Sequence, residues 1–324
     1  MKRREFLGVL GGAAAPWPKL AWTQSAPEML RVGTANVQPR TAPQIVAFQD
    51  RMASLGYIEG KNFTYDYVQI PSAQAWEASY RDVVARKPDI LVASGPEASL
   101  KSALTASGKL PVVMIAVDYD PIARGYIKSL AKPADNVTGV YFQLAEIAGK
   151  HLQLMKDAFP DFKATAVLLD QASADYWAAL RTEAPRLGVR LVGVQLGEPP
   201  HDYEPAIAAV SPDDRKFLMA MASPFFFLDR ARLAELALRY RMVSVSQARS
   251  SADAGFLMSY GPDLNAMFAL AANYVARIAG GSKPIDLPVE QPTKFELVIN
   301  LKTARALGRA IPPMLLARAD DVIE

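Results

Sequence analysis

The chain contains no cysteine and only two histidines among its 324 residues. Without cysteine there is no disulfide scaffold, zinc knuckle, iron–sulfur cluster, cysteine nucleophile or lipid-modified cysteine. The chain also lacks a G-x-G-x-x-G turn after a strand, a Walker loop, a G-x-S-x-G elbow and an H-E-x-x-H helix. His151 and His201 have no partner at ligand or triad spacing, so no catalytic residue, metal site or cofactor is expected. His151 reads as an exposed or capping residue of a helix, and His201 as a solvent-facing residue of a Pro-Pro-His-Asp turn.

What is present is ordinary globular composition, 51% hydrophobic and 21% charged, which excludes disorder and collagen. A single core stops growing near ~250–300 residues, so this length implies two lobes. The formal charge of +3 sits entirely in residues 1–25, leaving 32 charges of each sign in the other 299 residues. A neutral body gives no reason to expect nucleic acid. Lys2-Arg3-Arg4 followed by an apolar stretch, Phe6 to Ala15, and polar Thr23-Gln24-Ser25 has the layout of an export leader. Ten apolar residues fall short of the ~20 that span a bilayer, and Arg3-Arg4-Glu5-Phe6-Leu7 resembles a twin-arginine signal. We therefore expect residues 1–25 to be a cleaved signal peptide and the mature chain to be periplasmic and monomeric.

From Met29 onward, short β-rich runs alternate with amphipathic stretches of helical length. The strand candidates are Met29–Ala35, Phe63–Gln69, Ile90–Ser94, Val112–Val117, Val137–Val140, Ala164–Leu169, Arg190–Leu196, Phe217–Ala220, Met242–Val245, Phe256–Met258 and Phe295–Asn300. Several, such as Val112–Val117, are apolar without alternation, as strands buried on both faces of a parallel sheet are. The pattern implies an α/β fold of two doubly wound Rossmann-like lobes joined by a multi-segment hinge. We place residues 26–140 with about 262–292 in lobe 1, and 141–261 with about 293–324 in lobe 2.

Ligands of open α/β sheets bind at the carboxyl ends of the strands. Candidate residues there are Asn36, Ser94, Gly95, Glu97, Asp118, Tyr119, Gln171, Ser223, Phe225, Gln247, Arg249 and Tyr260. Ser94-Gly95-Pro96 reads either as an anion-binding helix start or as plain helix capping. Asp118 suits a ligand ammonium, whereas Asp120 before Pro121 reads as a turn former. Phe225-Phe226-Phe227 and Tyr119 read as ligand-stacking rings or as core. Arg249 is either the cation for a ligand carboxylate or half of a surface salt bridge.

Four strings are more specific: Leu55-Gly56-Tyr57-Ile58-Glu59-Gly60-Lys61-Asn62; Pro133 with Asn136-Val137-Thr138-Gly139; Leu257-Met258-Ser259-Tyr260-Gly261-Pro262-Asp263; and Leu287-Pro288-Val289-Glu290-Gln291-Pro292-Thr293-Lys294-Phe295-Glu296-Leu297-Val298-Ile299-Asn300-Leu301-Lys302-Thr303-Ala304. With them the chain resembles, from Leu30 to Glu324, the bacterial ABC-transporter substrate-binding family that includes TrpX-like tryptophan-binding proteins. It departs from those relatives in having Ser94-Gly95-Pro96-Glu97 where they carry a Gly-Gly-Thr/Ser-like turn, and Ser223 where they carry Asp before Pro-Phe. The resemblance implies a type I periplasmic binding-protein fold with a three-segment hinge and no enzymatic activity. It also implies a small-molecule ligand trapped between the lobes, carboxylate-bearing and aromatic or amino-acid-like. The partner it implies is an inner-membrane ABC permease with a separate ATPase. The alternatives are an exported two-lobe enzyme acting on a small molecule, or a ligand-sensing subunit of a membrane receptor.

Overall fold

Residues 29–324, apart from 73, 74, 135 and 222, are described by a computed structural model. The leader expected in residues 1–25 lies outside them. The first unit runs β1 (Leu30–Asn36), α1 (Pro43–Ser54), β2 (Phe63–Gln69), α2 (Trp76–Ala85), β3 (Ile90–Gly95), α3 (Glu97–Ser107), β4 (Val112–Val117), β5 (Val137–Phe142). Its strands form one parallel sheet in the order β2-β1-β3-β4-β5. All six residues of β5 and five of six in β4 are buried, because helices cover both faces of the sheet.

The second unit runs α4 (Ala148–Ala158), β6 (Ala164–Leu169), α5 (Ala174–Leu187), β7 (Arg190–Gln195), α6 (Tyr203–Ala208), β8 (Phe217–Met219), α7 (Pro224–Leu228), α8 (Arg230–Arg239), β9 (Val243–Ser246), α9 (Arg249–Asp253), β10 (Met258–Pro262). The chain then returns to the first unit with α10 (Leu264–Ala279), which Asp263 caps by accepting the Ala266 N–H. Met267, Phe268, Ala271, Ala272, Tyr274, Val275 and Ile278 recur at helical spacing and bury α10 against α1, β4 and β5. Residues 287–290 then lie along β5. The Thr138 hydroxyl donates to the Leu287 carbonyl, the Glu290 N–H to Gly139 O, and the Tyr141 N–H to Glu290 O. The chain ends in β11 (Phe295–Asn300), α11 (Leu301–Leu307), α12 (Pro313–Leu316) and β12 (Asp321–Ile323), giving a second sheet of order β12-β11-β10-β9-β8-β6-β7.

The backbone therefore crosses between the two units after β5, after β10 and before β11. Three details differ from the sequence reading. The tenth strand is Met258–Pro262 rather than Phe256–Met258, because Gly255 at φ +116° turns the chain and leaves Phe256 and Leu257 to fill the core. β11 runs antiparallel to β10, which makes the second sheet mixed. The short strand β12, paired with β11, was not anticipated. No helix among the described residues is long and apolar enough to cross a membrane.

Candidate functional site

A cavity of about 340 Å³ lies between the two units, at the low end of the ~300–1,000 Å³ typical of small-molecule sites. Its walls are the carboxyl ends of β1, β3 and β4 on one side and of β6, β7, β8 and β9 on the other. Of the expected residues, Asn36, Ser94, Gly95, Glu97, Asp118, Tyr119, Gln171, Ser223, Phe225 and Gln247 all line it. Arg249 and Tyr260 do not.

The first wall is fixed by buried hydrogen bonds. Asn36 Nδ2 donates to Ser94 Oγ at 2.8 Å, while Asn36 Oδ1 accepts the Gln38 N–H. Ser94 is thus a strand residue and not the cap of α3; Pro96 occupies that position, and no side chain caps the helix. Gly95, at φ +101°, turns the chain so that α3 starts at the cavity. The first N–H groups of a helix have no intrahelical acceptor, so those of Glu97 and Ala98 are left for an anion. The Glu97 carboxylate is engaged elsewhere, accepting from the Tyr126 hydroxyl at 2.8 Å and facing Arg124 Nε at 3.5 Å.

Asp118 follows β4 with φ +66°, a conformation that Asp tolerates better than most side chains. It is 8% exposed, and neither carboxylate oxygen has a hydrogen-bond partner. Burial and the nearby Asp175 carboxylate push its pKa well above the ordinary carboxylate range. The N–H groups of Ala145 and Leu144 oppose this without reaching hydrogen-bond geometry. A lone buried carboxylate of this kind is destabilising unless a cation joins it. Asp120, by contrast, caps its own turn through the N–H groups of Ile122 and Ala123.

The opposite wall carries Asp170, Asp175 and Glu198 and no cation of its own. Asp170 accepts from Ser223 Oγ, Ser173 Oγ and the Ala172 N–H. Ser223 also caps α7 by accepting the Phe225 N–H at 3.1 Å, and Gln171 donates to Glu198 at 2.7 Å. Phe225 lines the cavity while packing into the core of the first unit, and Gln38 Nε2 reaches across to the Pro224 carbonyl at 2.8 Å. Tyr119 and Phe226 are core, at 2% exposure each. Arg124, of the first unit, bridges the mouth to Asp175 at 3.1 Å. These contacts join the two walls of the cleft.

Four expectations need correction. Arg249 starts α9 outside the cavity and is spent on Asp321 of β12 and Asp253, so it is the surface ion pair. Tyr260 stacks on Phe295 instead of facing the cleft. His151 is not exposed: it is fully buried, with Nε2 donating to the Tyr260 carbonyl at 2.7 Å and Nδ1 accepting from the Tyr176 hydroxyl. His201 is not solvent-facing either, being 3% exposed among the rings of Tyr203, Phe225 and Phe226, with its Nε2 3.7 Å from Asp170. Arg124, Asp175, Glu198, Gln38 and Trp76 were missed as lining residues. The available signal was an Arg a few residues beyond the Asp118-Tyr119-Asp120-Pro121 loop. Among the described residues, no group of three or more His, Asp or Glu is placed to hold a metal ion.

Residues 41–323 match the model of a family described as ABC transporter substrate binding protein. A tyrosine-binding protein of Clostridioides difficile (strain R20291) is 24% identical over 271 residues, 81% of this chain and 74% of that protein. A conserved domain protein from Vibrio cholerae superposes with a TM-score of 0.82 at 25% identity, covering 91% of this chain and 99% of the other. An ABC domain from Streptococcus pneumoniae in complex with L-Trp superposes with a TM-score of 0.79 at 22% identity, covering 91% and 100%.

Proposed function

Because the chain belongs to the ABC transporter substrate binding protein family, we propose that it captures a zwitterionic, aromatic amino-acid-like molecule between its lobes and delivers it to a membrane importer. The observation that carries this reading is Asp118, a buried carboxylate without a partner facing the cavity. A ligand ammonium supplies the missing counter-charge. The uncapped start of α3 receives the ligand carboxylate, and Trp76 and Phe225 offer apolar surface for its body. The names of the relatives, tyrosine-binding and in complex with L-Trp, support the same ligand class.

The receptor acts by closure: the ligand stabilises the closed form more than the open one, and an ABC permease with a separate ATPase takes the loaded form. The chain performs no chemistry on its ligand. The basic, apolar and polar layout of residues 1–25 supports export to the periplasm.

Titration calorimetry with L-tryptophan, L-tyrosine, tryptamine and indole-3-propionate tests the reading. We expect one site per chain for an L-amino acid and recovery of the compound unchanged. Indole-3-propionate, lacking the ammonium, is expected to bind at least about 30-fold more weakly, as for loss of one member of a buried charge pair. Conversion of the compound, or equal affinity with and without the amine, would overturn it.

Arg124 adds a second prediction. Its bridge from Glu97 to Asp175 spans the cleft but is 46% exposed, so it is worth at most about 1 kcal/mol. Arg124→Gln is expected to speed ligand release by about two- to fivefold with little change in association. Stopped-flow release rates that are unchanged, or as salt-sensitive in the variant as in the parent, would exclude the latch.

A further inference from the structure

Each crossover between the lobes carries one aromatic ring, and these rings touch. Phe142 ends β5 at the first crossover, Tyr260 lies in β10 at the second, and Phe295 opens β11 at the third. Phe295 sits edge-on to Phe142 at 5.7 Å and stacks on Tyr260 at 6.1 Å with an interplanar angle of 25°. His151, on the helix that follows the first crossover, lies edge-on to Tyr260 at 5.8 Å and to Tyr176 at 5.8 Å.

The hydrogen bonds make this contact directional. A carbonyl only accepts, so the 2.7 Å bond to Tyr260 O fixes the His151 proton on Nε2. Nδ1 is then the acceptor for the Tyr176 hydroxyl at 3.0 Å. Burial lowers the His151 pKa to about 4, which keeps this neutral tautomer in place. The same cluster reaches Asp118 through the backbone: the Asp118 N–H donates to the Phe142 carbonyl at 2.9 Å. Burial, and after it the Asp118 carboxylate, raise the Tyr176 pKa, which keeps the hydroxyl protonated as the donor to His151.

We propose that Phe142, His151, Tyr176, Tyr260 and Phe295 form a hinge hub. It joins the three crossovers into one pivot and ties that pivot to Asp118, so that His151 and Tyr176 are positioning residues for lobe closure. The hub is built from the chain's own residues. It rests on the solute-capture reading only where ligand affinity is measured.

The absence of cysteine makes the test direct. Lys101→Cys and Arg181→Cys, both exposed and on opposite lobes, accept a pair of spin labels at unique positions. Electron–electron resonance then gives the interlobe distance distribution without ligand. Tyr176→Phe removes one hydroxyl and keeps the ring; it is expected to broaden that distribution and to weaken L-tryptophan binding about fivefold, the effect of one neutral hydrogen bond. Phe295→Leu, at a half-buried site, is expected to do the same and keeps the test open if Tyr176→Phe does not fold. Tyr80→Phe removes an equally buried hydroxyl from the core of lobe 1, bonded to Val92 O and Ser99, and is expected to leave the distribution unchanged. Wild-type distributions in folded Tyr176→Phe and Phe295→Leu, or equal broadening in Tyr80→Phe, would overturn the hub. Failure of L-tryptophan to bind any of these proteins would count against the ligand assignment and leave the distance result standing.

Discussion

Asp118→Asn is expected to weaken ligand capture by about 30-fold or more while making the empty protein more stable. Asparagine keeps the side-chain shape and tolerates the φ of +66° that Asp118 adopts, so the substitution isolates the charge. In the empty protein that charge is buried without a hydrogen-bond partner, and its removal is expected to stabilise by about 1–2 kcal/mol near neutral pH. The pH dependence follows from the raised pKa. The folded state holds the Asp118 proton where the unfolded chain has already lost it. Wild-type stability from this group is therefore fully present below the ordinary carboxylate value of about 3.9, and is lost as pH rises through the raised folded value. The variant lacks that loss. With an ammonium ligand the sign reverses, because the cation stabilises the carboxylate. Wild-type affinity is thus expected to rise with pH through the same window, and the variant's affinity to fall by about 30-fold or more. Thermal melts across pH, with and without L-tryptophan, read both effects. A variant that melts lower than the parent when empty, or that binds as tightly, would remove Asp118 from the role assigned to it.

The opposite signs on stability and binding also explain why Asp118 was legible in the sequence. It follows an all-apolar strand, Val112 to Val117, that composition alone marks as buried on both faces. A carboxylate placed at the carboxyl end of such a strand has little to offer packing. The same topological argument brought Asn36, Ser94, Gln171, Ser223 and Gln247 to one cavity although they are spread over more than 200 residues. The argument locates loops, however, and not side-chain directions. Arg249 follows β9, yet it is the first residue of α9, and its partner Asp321 lies on a strand of three residues with no buried position. Three residues are too few to carry a periodic pattern, even with Val322 and Ile323 among them. Missing β12 in the sequence therefore meant missing the ion pair that occupies Arg249.

Strand direction was hidden for a related reason. The apolar run in Phe295–Asn300 reports that the strand is buried on both faces, and that is the same whether it runs with its neighbour or against it. The two histidines were misread because their sequence neighbours are polar: Lys150 beside His151, and Asp202 beside His201. Their burial depends on rings from other elements, Tyr176 and Tyr260 in one case and Phe225 and Phe226 in the other. Tyr203, two residues beyond His201 and 5.5 Å from its ring, is a local contact, but one neighbouring ring does not distinguish a buried turn from an exposed one.

Gly139→Ala is expected to be the most damaging glycine-to-alanine change among the described residues, and it tests the joint between lobe 1 and the third crossover. Gly139 sits in β5 at φ +138°, where L side chains are strained whatever the surrounding space. Space is also absent: a Cβ would lie 2.1 Å from Met114 O and 2.8 Å from Met114 N. These are backbone atoms of β4, the strand paired with β5 at this residue, so relief requires opening the sheet beneath Asp118. Glu290 is anchored on the Gly139 carbonyl, so the segment leading into β11 moves with it. The two penalties together are expected to exceed about 4 kcal/mol, lowering the melting temperature by roughly 10 °C or more. Gly188→Ala supplies the comparison. Gly188 ends α5 at φ +65° with nothing within 4 Å of a new Cβ, so only the conformational penalty of about 1 kcal/mol applies. Both variants carry the same added methyl on a glycine of positive φ, and the difference between their melts therefore measures the overlap with β4 together with the greater strain of φ +138° over the left-handed helical φ of +65°. Equal melting temperatures would mean that the β4–β5 register, and with it the placement of Asp118 over Phe142, is not as described.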